Sequence, residues 1–362
     1  MKILRVINSL NIGGAERSVS GNVPLHVKNG FEIDVLLLNG TKTFFTVDLL
    51  KNNVKIISLG ENNNIYSPII IFKICKFIKN YDVVHVSLFP ALYWVAIAKI
   101  ITRSKANLIY TEHSTSNRRR SLFLFKVLDQ FIYKQYDKII AITPEASINL
   151  SDHLKGNFKI ETIYNGVDVS KVFTDSQKKT LLPELEVDKA ATKYILQVAS
   201  FRNQKDQNTV IRALPHMDPQ VKLLFVGDGP RKKVCQDLVK DLKLSDRVTF
   251  LGLRDNVNEI YGLADIVIMS SHYEGFGRAA VEGMAARKPV IASNVAGLSE
   301  IVKNHGLVFT SGNSLELSKL VNELLNDEVL YHDIASKCFE RALDFDISRM
   351  IDSYEDVYKS LS

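Results

Sequence analysis

Short apolar runs alternate with segments of helical length and pattern from one end of this chain to the other, and that cadence restricts the fold more than any single motif. Residues 3–7, 33–38, 55–58, 83–87, 108–111 and 138–142 read as strands. The stretches between them are long enough for crossover helices. Runs that are apolar on both faces belong to parallel sheets covered by helices on each side. The cadence pauses between Tyr164 and Asp188, where Asn165-Gly166 marks a tight turn and a polar, lysine-rich segment follows. It resumes at residues 194–198, 222–226, 248–251, 266–269 and 290–292. The pattern predicts an α/β chain of two Rossmann-like domains, 1–166 and 191–345, joined by a linker over 167–190. Residues 315–360 are helical in pattern, and a last helix over 346–362 is expected to cross back toward the first domain.

Length agrees with two cores: 362 residues exceed one typical domain of roughly 100–200 residues. The charge is divided unevenly. Residues 1–165 hold 21 Lys and Arg against 12 Asp and Glu, whereas residues 166–362 hold 25 against 28. A basic first half points to a negatively charged partner. Without a helix-turn-helix, zinc-knuckle or aromatic RNA-binding signature, an anionic membrane surface or a phosphorylated acceptor fits better than nucleic acid. Cys75, Cys235 and Cys338 are far apart and odd in number, which argues against a disulfide framework and a zinc site. The opening residues read as a strand instead of a signal peptide, and polar groups interrupt the apolar stretches at 68–78 and 83–101. A cytoplasmic protein, peripheral at most on the cytoplasmic face of the inner membrane, is expected.

The chemistry-bearing residues fall after strands. Ligands of open parallel sheets bind outside the carboxyl ends of the strands. Between Glu274 and Glu282 the chain reads EGFGRAAVE, with two carboxylates flanking a glycine-rich turn after the apolar run 264–269. Gly275 and Gly277 admit close backbone approach, and a helix starting near Gly277 offers unpaired N–H groups to an anion such as a diphosphate. Carboxylates beside such a site accept hydrogen bonds from hydroxyls, which a sugar and a ribose supply. The competing reading makes Glu274 a helix-dipole residue and Glu282 solvated.

Other segments are weaker alone. Gly13-Gly14-Ala15-Glu16-Arg17 opens a helix after the first strand, as a phosphate loop or as an ordinary helix start. Lys205, with Arg202, follows the strand at 194–198 and offers cations to a diphosphate leaving group or simply to solvent. His113 ends a strand in YTEHS, where a structural role competes with a hydrogen bond to a sugar. VGDGP at 226–230 needs no ligand: it is a strand end, a turn and a helix with Pro230 first. Asp344-Phe-Asp346 reads as capping and solvated charge instead of a metal site. Arg118, Arg119 and Arg120 run into bulky apolar residues and suit anionic lipid or an acceptor. The apolar segment 68–79 is better explained by burial.

Taken together, GGAER, TEHS, YNGVD, QKDQNTVIRAL, LLFVGDGP, FLGLRDN, EGFGRAAVEGMA and KPVIASNVAGLSEIV resemble the retaining glycosyltransferases of family 4. The likeness runs in order over nearly the whole chain. It implies the GT-B fold, two facing Rossmann-like domains with parallel sheets, and a nucleotide-sugar donor, UDP-linked, bound mainly by the second. Carried over by position, Glu274 holds the donor sugar and Glu282 the ribose hydroxyls, with Gly275, Phe276, Gly277 and Arg278 near sugar and phosphate. Lys205 matches the diphosphate-binding lysine, and Arg254 of FLGLRDN joins the nucleotide site. Gly13 and Gly14 match the glycine loop beside the diphosphate, and His113 a histidine near the reacting carbon. Glu274, Lys205 and His113 are thus the catalytic candidates. Two departures stand out: the usual arginine before the lysine is Ser200, with Arg202 nearby, and Ala296 replaces a glycine before Gly297. With Asp344-Phe-Asp346 read as capping, no metal or cofactor is expected to be required, and the basic first half together with the resemblance points to an acceptor that is a glycan or a polyprenyl-diphosphate-linked sugar. An epimerase or phosphorylase on the same architecture, or a catalytically idle nucleotide-binding partner of a polysaccharide assembly complex, are the rival readings.

Overall fold

The structure, a computed structural model, describes residues 1–11, 13–114, 118–170 and 192–361, apart from the side chains of Arg118, Ser121, Phe123 and Leu124. The chain divides into two compact units, Met1–Gly166 with Ser348–Ser362, and Val167–Ile347. Most of the expected linker at 167–190 lies outside the described residues.

The first unit is built on strands β1 (Lys2–Ile7), β2 (Glu32–Leu37), β3 (Lys55–Ser58), β4 (Val83–Ser87), β5 (Asn107–Glu112), β6 (Lys138–Ala141) and β7 (Ile160–Thr162). They form one sheet in the order β3-β2-β1-β4-β5-β6-β7, every neighbouring pair parallel. On β1, Val6 lies between Leu36 of β2 and Val86 of β4, and all three are buried. Helices on both faces exclude water from such strands, which is why they read as unbroken apolar runs. The order reverses at β1, creating a crevice at the strand ends.

The second unit repeats the plan with β8 (Lys193–Val198), β9 (Val221–Val226), β10 (Val248–Phe250), β11 (Ile266–Met269), β12 (Val290–Ser293) and β13 (Leu307–Phe309). The order is β10-β9-β8-β11-β12-β13, again wholly parallel. Here β8 and β11 flank the reversal. Strands β7 and β13 were not anticipated from sequence. Each is three residues at a sheet edge, too short to carry a pattern.

The helical C-terminal segment divides. Helices Ser314–Asn326 and Glu328–Leu343 belong to the second unit, and Ile347–Lys359 packs on the first. That last helix buries Met350, Ile351, Tyr354, Val357 and Tyr358, a stripe at helical spacing. Each such burial is worth about 1.5–3 kcal/mol, so the helix is an integral part of the first core. At the crossing, Val167 N donates to Phe345 O and Ile347 N to Val167 O, both at 2.9 Å. The segments entering and leaving the second unit therefore lie side by side. Among the described residues, no helix is long and apolar enough to cross a membrane. Of the apolar segment at 68–79 only one face is covered: Ile70, Ile71 and Ile74 are buried, while Ile69 and Phe72 stand exposed.

Candidate active site

In the second unit the chemistry collects at the ends of β8 and β11, the two strands beside the reversal of strand order. After β8 the chain turns through Asn203–Lys205, and Asp206 caps the helix Gln207–Ala213 by accepting from Thr209 N. Two buried polar groups lace this turn to the end of β11. Gln197 Nε2 donates to Lys205 O at 3.0 Å and to Ser270 Oγ at 2.9 Å. Ser270 Oγ in turn lies 3.0 Å from Lys205 O and 2.9 Å from Asp206 O. Backbone held in this way aims its side chain reproducibly.

The Lys205 ammonium pairs with Glu274 Oε2, and both side chains are largely shielded from water. Ser271 Oγ donates to the same carboxylate oxygen at 3.2 Å, and the Gly275 amide reaches Oε1 at 3.3 Å. Ser271 is anchored from behind, since Ser293 Oγ donates to its carbonyl at 2.6 Å. Cation and carboxylate thus come from different strands and converge on one spot.

Gly277 caps the helix Arg278–Ala285 in the left-handed region, at φ 73° and ψ 43°, with no side-chain cap. A β-carbon there would lie 2.6 Å from Leu298 Cδ1. The first amides of the helix keep the anion-attracting character of any uncapped N-terminus. One turn in, Glu282 is buried, not solvated. Its Oε1 accepts from Arg278 Nε at 2.9 Å and its Oε2 from the Tyr261 hydroxyl at 3.1 Å. A carboxylate has about four lone-pair sites, so hydroxyl donors can still be accepted. Phe276 is buried and meets Phe345 edge-on at 5.5 Å.

Ser200 contributes its carbonyl, which accepts from Gln207 Nε2 at 3.1 Å, and Arg202 is exposed at the same loop. Arg254 Nε reaches Asn256 Oδ1 at 3.2 Å and lines an open pocket with Leu253, Asp255 and Glu259. The helix after VGDGP begins at Lys232, so Pro230 stands before its cap and not at its first position. Among the described residues, no group of three or more His, Cys, Asp or Glu is arranged to hold a metal ion.

The remaining candidates belong to the first unit. Gly13 caps the helix Gly14–Lys28, without a side-chain cap. His113 follows β5, half-buried, with Nε2 3.2 Å from Ser87 Oγ at the end of β4. Burial, and next the Arg5 charge, push the His113 ring down to about 3. His85 is fully buried on β4, held by the Tyr358 hydroxyl at 2.8 Å and Thr111 Oγ1 at 2.7 Å, and so is a core residue.

The basic cluster faces inward instead of outward. Arg119 is buried 3.4 Å from Asp129 Oδ2, with its guanidinium 4.4 Å from the Phe89 ring centroid and 5.2 Å from that of Tyr93. Arg120 is paired with Glu112, both side chains more than nine-tenths covered. Neither therefore offers its charge to lipid or acceptor, contrary to the sequence expectation. The Arg118 side chain lies outside the described set. Hydropathy hid the reason: Asp129, which draws Arg119 inward and also binds His153 Nε2 at 2.8 Å, lies ten residues downstream in an apolar helix. Gln197 and Ser270 were missed as site supports. Their signal was a polar residue near the carboxyl end of an apolar strand.

Comparisons with known proteins agree with this fold. Residues 12–171 match the model for Glycosyltransferase Family 4, and residues 183–341 the model for Glycosyl transferases group 1. The N-acetyl-alpha-D-glucosaminyl L-malate synthase of Bacillus anthracis is 28% identical over 287 residues, covering 77% of this chain and 75% of that protein. From Campylobacter jejuni, an N-acetylgalactosamine-N,N'-diacetylbacillosaminyl-diphospho-undecaprenol 4-alpha-N-acetylgalactosaminyltransferase is 25% identical over 359 residues, covering 94% of each. Among solved structures, HepE of Anabaena in complex with UDP-glucose superposes with a TM-score of 0.87 at 25% identity, over 99% of this chain and 100% of that one. With one domain model on each half and GT-B relatives along its whole length, the chain belongs to the glycosyltransferases of family 4.

Proposed function

We propose that this protein transfers a sugar from a UDP-linked donor to a hydroxyl of a glycan or polyprenyl-diphosphate-linked acceptor, with retention of anomeric configuration, in surface polysaccharide assembly. The observation that carries the reading is the Lys205–Glu274 pair at the strand ends flanking the sheet reversal, beside an uncapped helix N-terminus. Relatives lend the substrate classes. HepE is named with UDP-glucose and the Campylobacter enzyme with a diphospho-undecaprenol acceptor.

In this reading the second unit binds donor and the first binds acceptor. Glu274 accepts hydrogen bonds from sugar hydroxyls and Glu282 from the ribose. When donor enters, Lys205 shifts from Glu274 toward the diphosphate, joined by Arg202 and by the amides of Gly275, Phe276, Gly277 and Arg278. His113 contacts the sugar, Gly13 and Gly14 approach the diphosphate, and Arg254 serves the nucleotide end. The acceptor oxygen bonds to the anomeric carbon as the bond from that carbon to the β-phosphate oxygen breaks. The acceptor proton passes to the departing phosphate, leaving UDP. Fixed positive groups stabilise the charge that grows on the leaving group, a large term when they need no reorganisation.

Contact with an anionic membrane on the cytoplasmic face falls to the helix Phe123–Tyr133 instead of the buried arginines. Its Val127, Leu128 and Phe131, with the preceding Leu122, are exposed on a unit rich in lysine. An apolar face with cations nearby suits an interfacial helix. Purified protein given UDP-sugars and a lipid-linked acceptor should form a new glycosidic bond whose anomeric signal in NMR matches that of the donor. An altered donor sugar formed without acceptor would identify an epimerase instead. Liposome sedimentation should weaken with salt and in Phe131→Asp; unchanged pelleting of that variant would remove the helix from the reading.

A further inference from the structure

Arg5 is a guanidinium in the middle of a buried strand. It sits on β1 opposite His85 of β4, only 6% exposed, and among the described residues no carboxylate lies within 4 Å of it. Burying an unpaired charge is expensive, and a methionine of similar length would fill the same space without that cost. Its Nη2 donates to Ser87 Oγ at 3.4 Å, and the Tyr358 hydroxyl also lies within hydrogen-bonding reach of the guanidinium. Ser87 is fully buried, and among the described residues its other side-chain partner is His113 Nε2 at 3.2 Å.

The donor inventory gives this chain a direction. Arginine can only donate, so Ser87 Oγ accepts from Arg5. Among the described residues the hydroxyl proton then has one side-chain acceptor in reach, His113 Nε2. A ring that accepts at Nε2 while neutral carries its proton on Nδ1. We propose that Arg5, acting through Ser87, is a positioning residue that fixes His113 as the Nδ1–H tautomer, leaving Nδ1–H as the one donor the ring offers a sugar oxygen. The inference rests on the reading of His113 as a sugar contact.

The surroundings are consistent with a neutral ring. His85 on β4 is held well below its usual value by burial and next by Arg5, and His26 on the helix Gly14–Lys28 is lowered to about 4. The acids that face this region are already engaged: Glu112 with Arg120, and Glu355 of the last helix with His26 at 3.2 Å and Asn29 at 2.8 Å. Tyr354 and Tyr358 complete the wall, their hydroxyls kept protonated by burial. The Arg5 charge is therefore turned on imidazoles, where it opposes protonation.

Imidazole nitrogen spectra of the full chain, labelled with nitrogen-15 at histidine and assigned for His113 by difference against His113→Gln, test this directly. The wild type should show an Nδ1–H ring that does not titrate down to about pH 5. Ser87→Ala should mix the tautomers and lower kcat/KM about tenfold, the scale of one lost hydrogen bond. In Arg5→Met the ring should titrate nearer its ordinary value, and the acid limb of kcat/KM should move upward in pH with it. If Arg5→Met fails to fold, Ser87→Ala carries the test alone. An Nε2–H ring in the wild type, or an unchanged tautomer in Ser87→Ala, would overturn the assignment whatever the turnover. Full turnover in His113→Gln would instead sink the sugar-contact reading while leaving the tautomer assignment standing.

Discussion

Gly297 lies directly under the backbone of Glu274: a β-carbon on Gly297 would sit 2.3 Å from the Glu274 carbonyl oxygen. Its φ of +74° is also one that other residues adopt only with strain. The turn before the helix Ser299–Val302 is thus the floor of the loop that carries the paired carboxylate. Gly297→Ala should push that loop upward and cost about 1–3 kcal/mol in left-handed strain alone. Thermal unfolding together with UDP-sugar turnover checks this. A variant with wild-type values of both would show that the loop has slack.

Removing the Lys205 cation addresses the chemistry. Lys205→Met should lower kcat about 10²–10³-fold, the range for losing one preorganised electrostatic group. The fold should survive, because Gln197 and Ser270 hold the turn by its carbonyls and not by the ammonium. Glu274→Ala should also largely abolish transfer. Steady-state rates, with circular dichroism as the folding control, decide; wild-type turnover in either variant contradicts its role.

The buried arginine makes a different prediction. Asp129 accepts from His153 and from the Tyr93 hydroxyl and is ion-paired with Arg119, and no part of it reaches solvent. Asp129→Ala should destabilise the first unit by about 3–5 kcal/mol, since it strands a buried guanidinium. Pairing it with Arg119→Met should recover part of the loss. Denaturant midpoints of the single and double variants measure the coupling, and strictly additive values would mean that the two residues do not share a site.

Acid should weaken the first unit in a defined window. Free histidine rings protonate near 6.5, whereas His26 titrates at about 4 and His113 at about 3 in the folded chain. Below pH 6.5 the unfolded state binds more protons, so stability declines as the pH falls toward 4; above 6.5 these groups leave it level. Thermal midpoints recorded from pH 8 to 4.5 should bend downward near 6.5. A curve that stayed flat to pH 5 would contradict the burial of these rings.

Much of this molecule was legible because parallel sheets leave a strong trace. Eleven of the strands read directly as apolar runs, and the loops after them were the right places to look for chemistry. The Glu274 and Lys205 loops stood out by composition, but their pairing did not, since it depends on β8 and β11 being neighbours despite about 70 intervening residues. The arginine cluster misled for a related reason. A charge run is judged by its sequence neighbours, while its solvation is decided by Asp129 and Glu112, which the fold brings in from elsewhere. Arg5 was visible as a cation inside KILRVI, yet nothing in the sequence could say that Ser87 and His113 would meet it.

Because Val167 and Asp346 bridge where the backbone enters and exits, the second unit is spliced into its companion as a cassette with adjoining ends. Residues 167–347 should therefore be clonable as one continuous piece. The companion cannot be obtained by simple truncation: it would need its final helix stitched back on through a short connector after Gly166, and stopping the gene before Ser348 would strip the aromatic rings that cover His85.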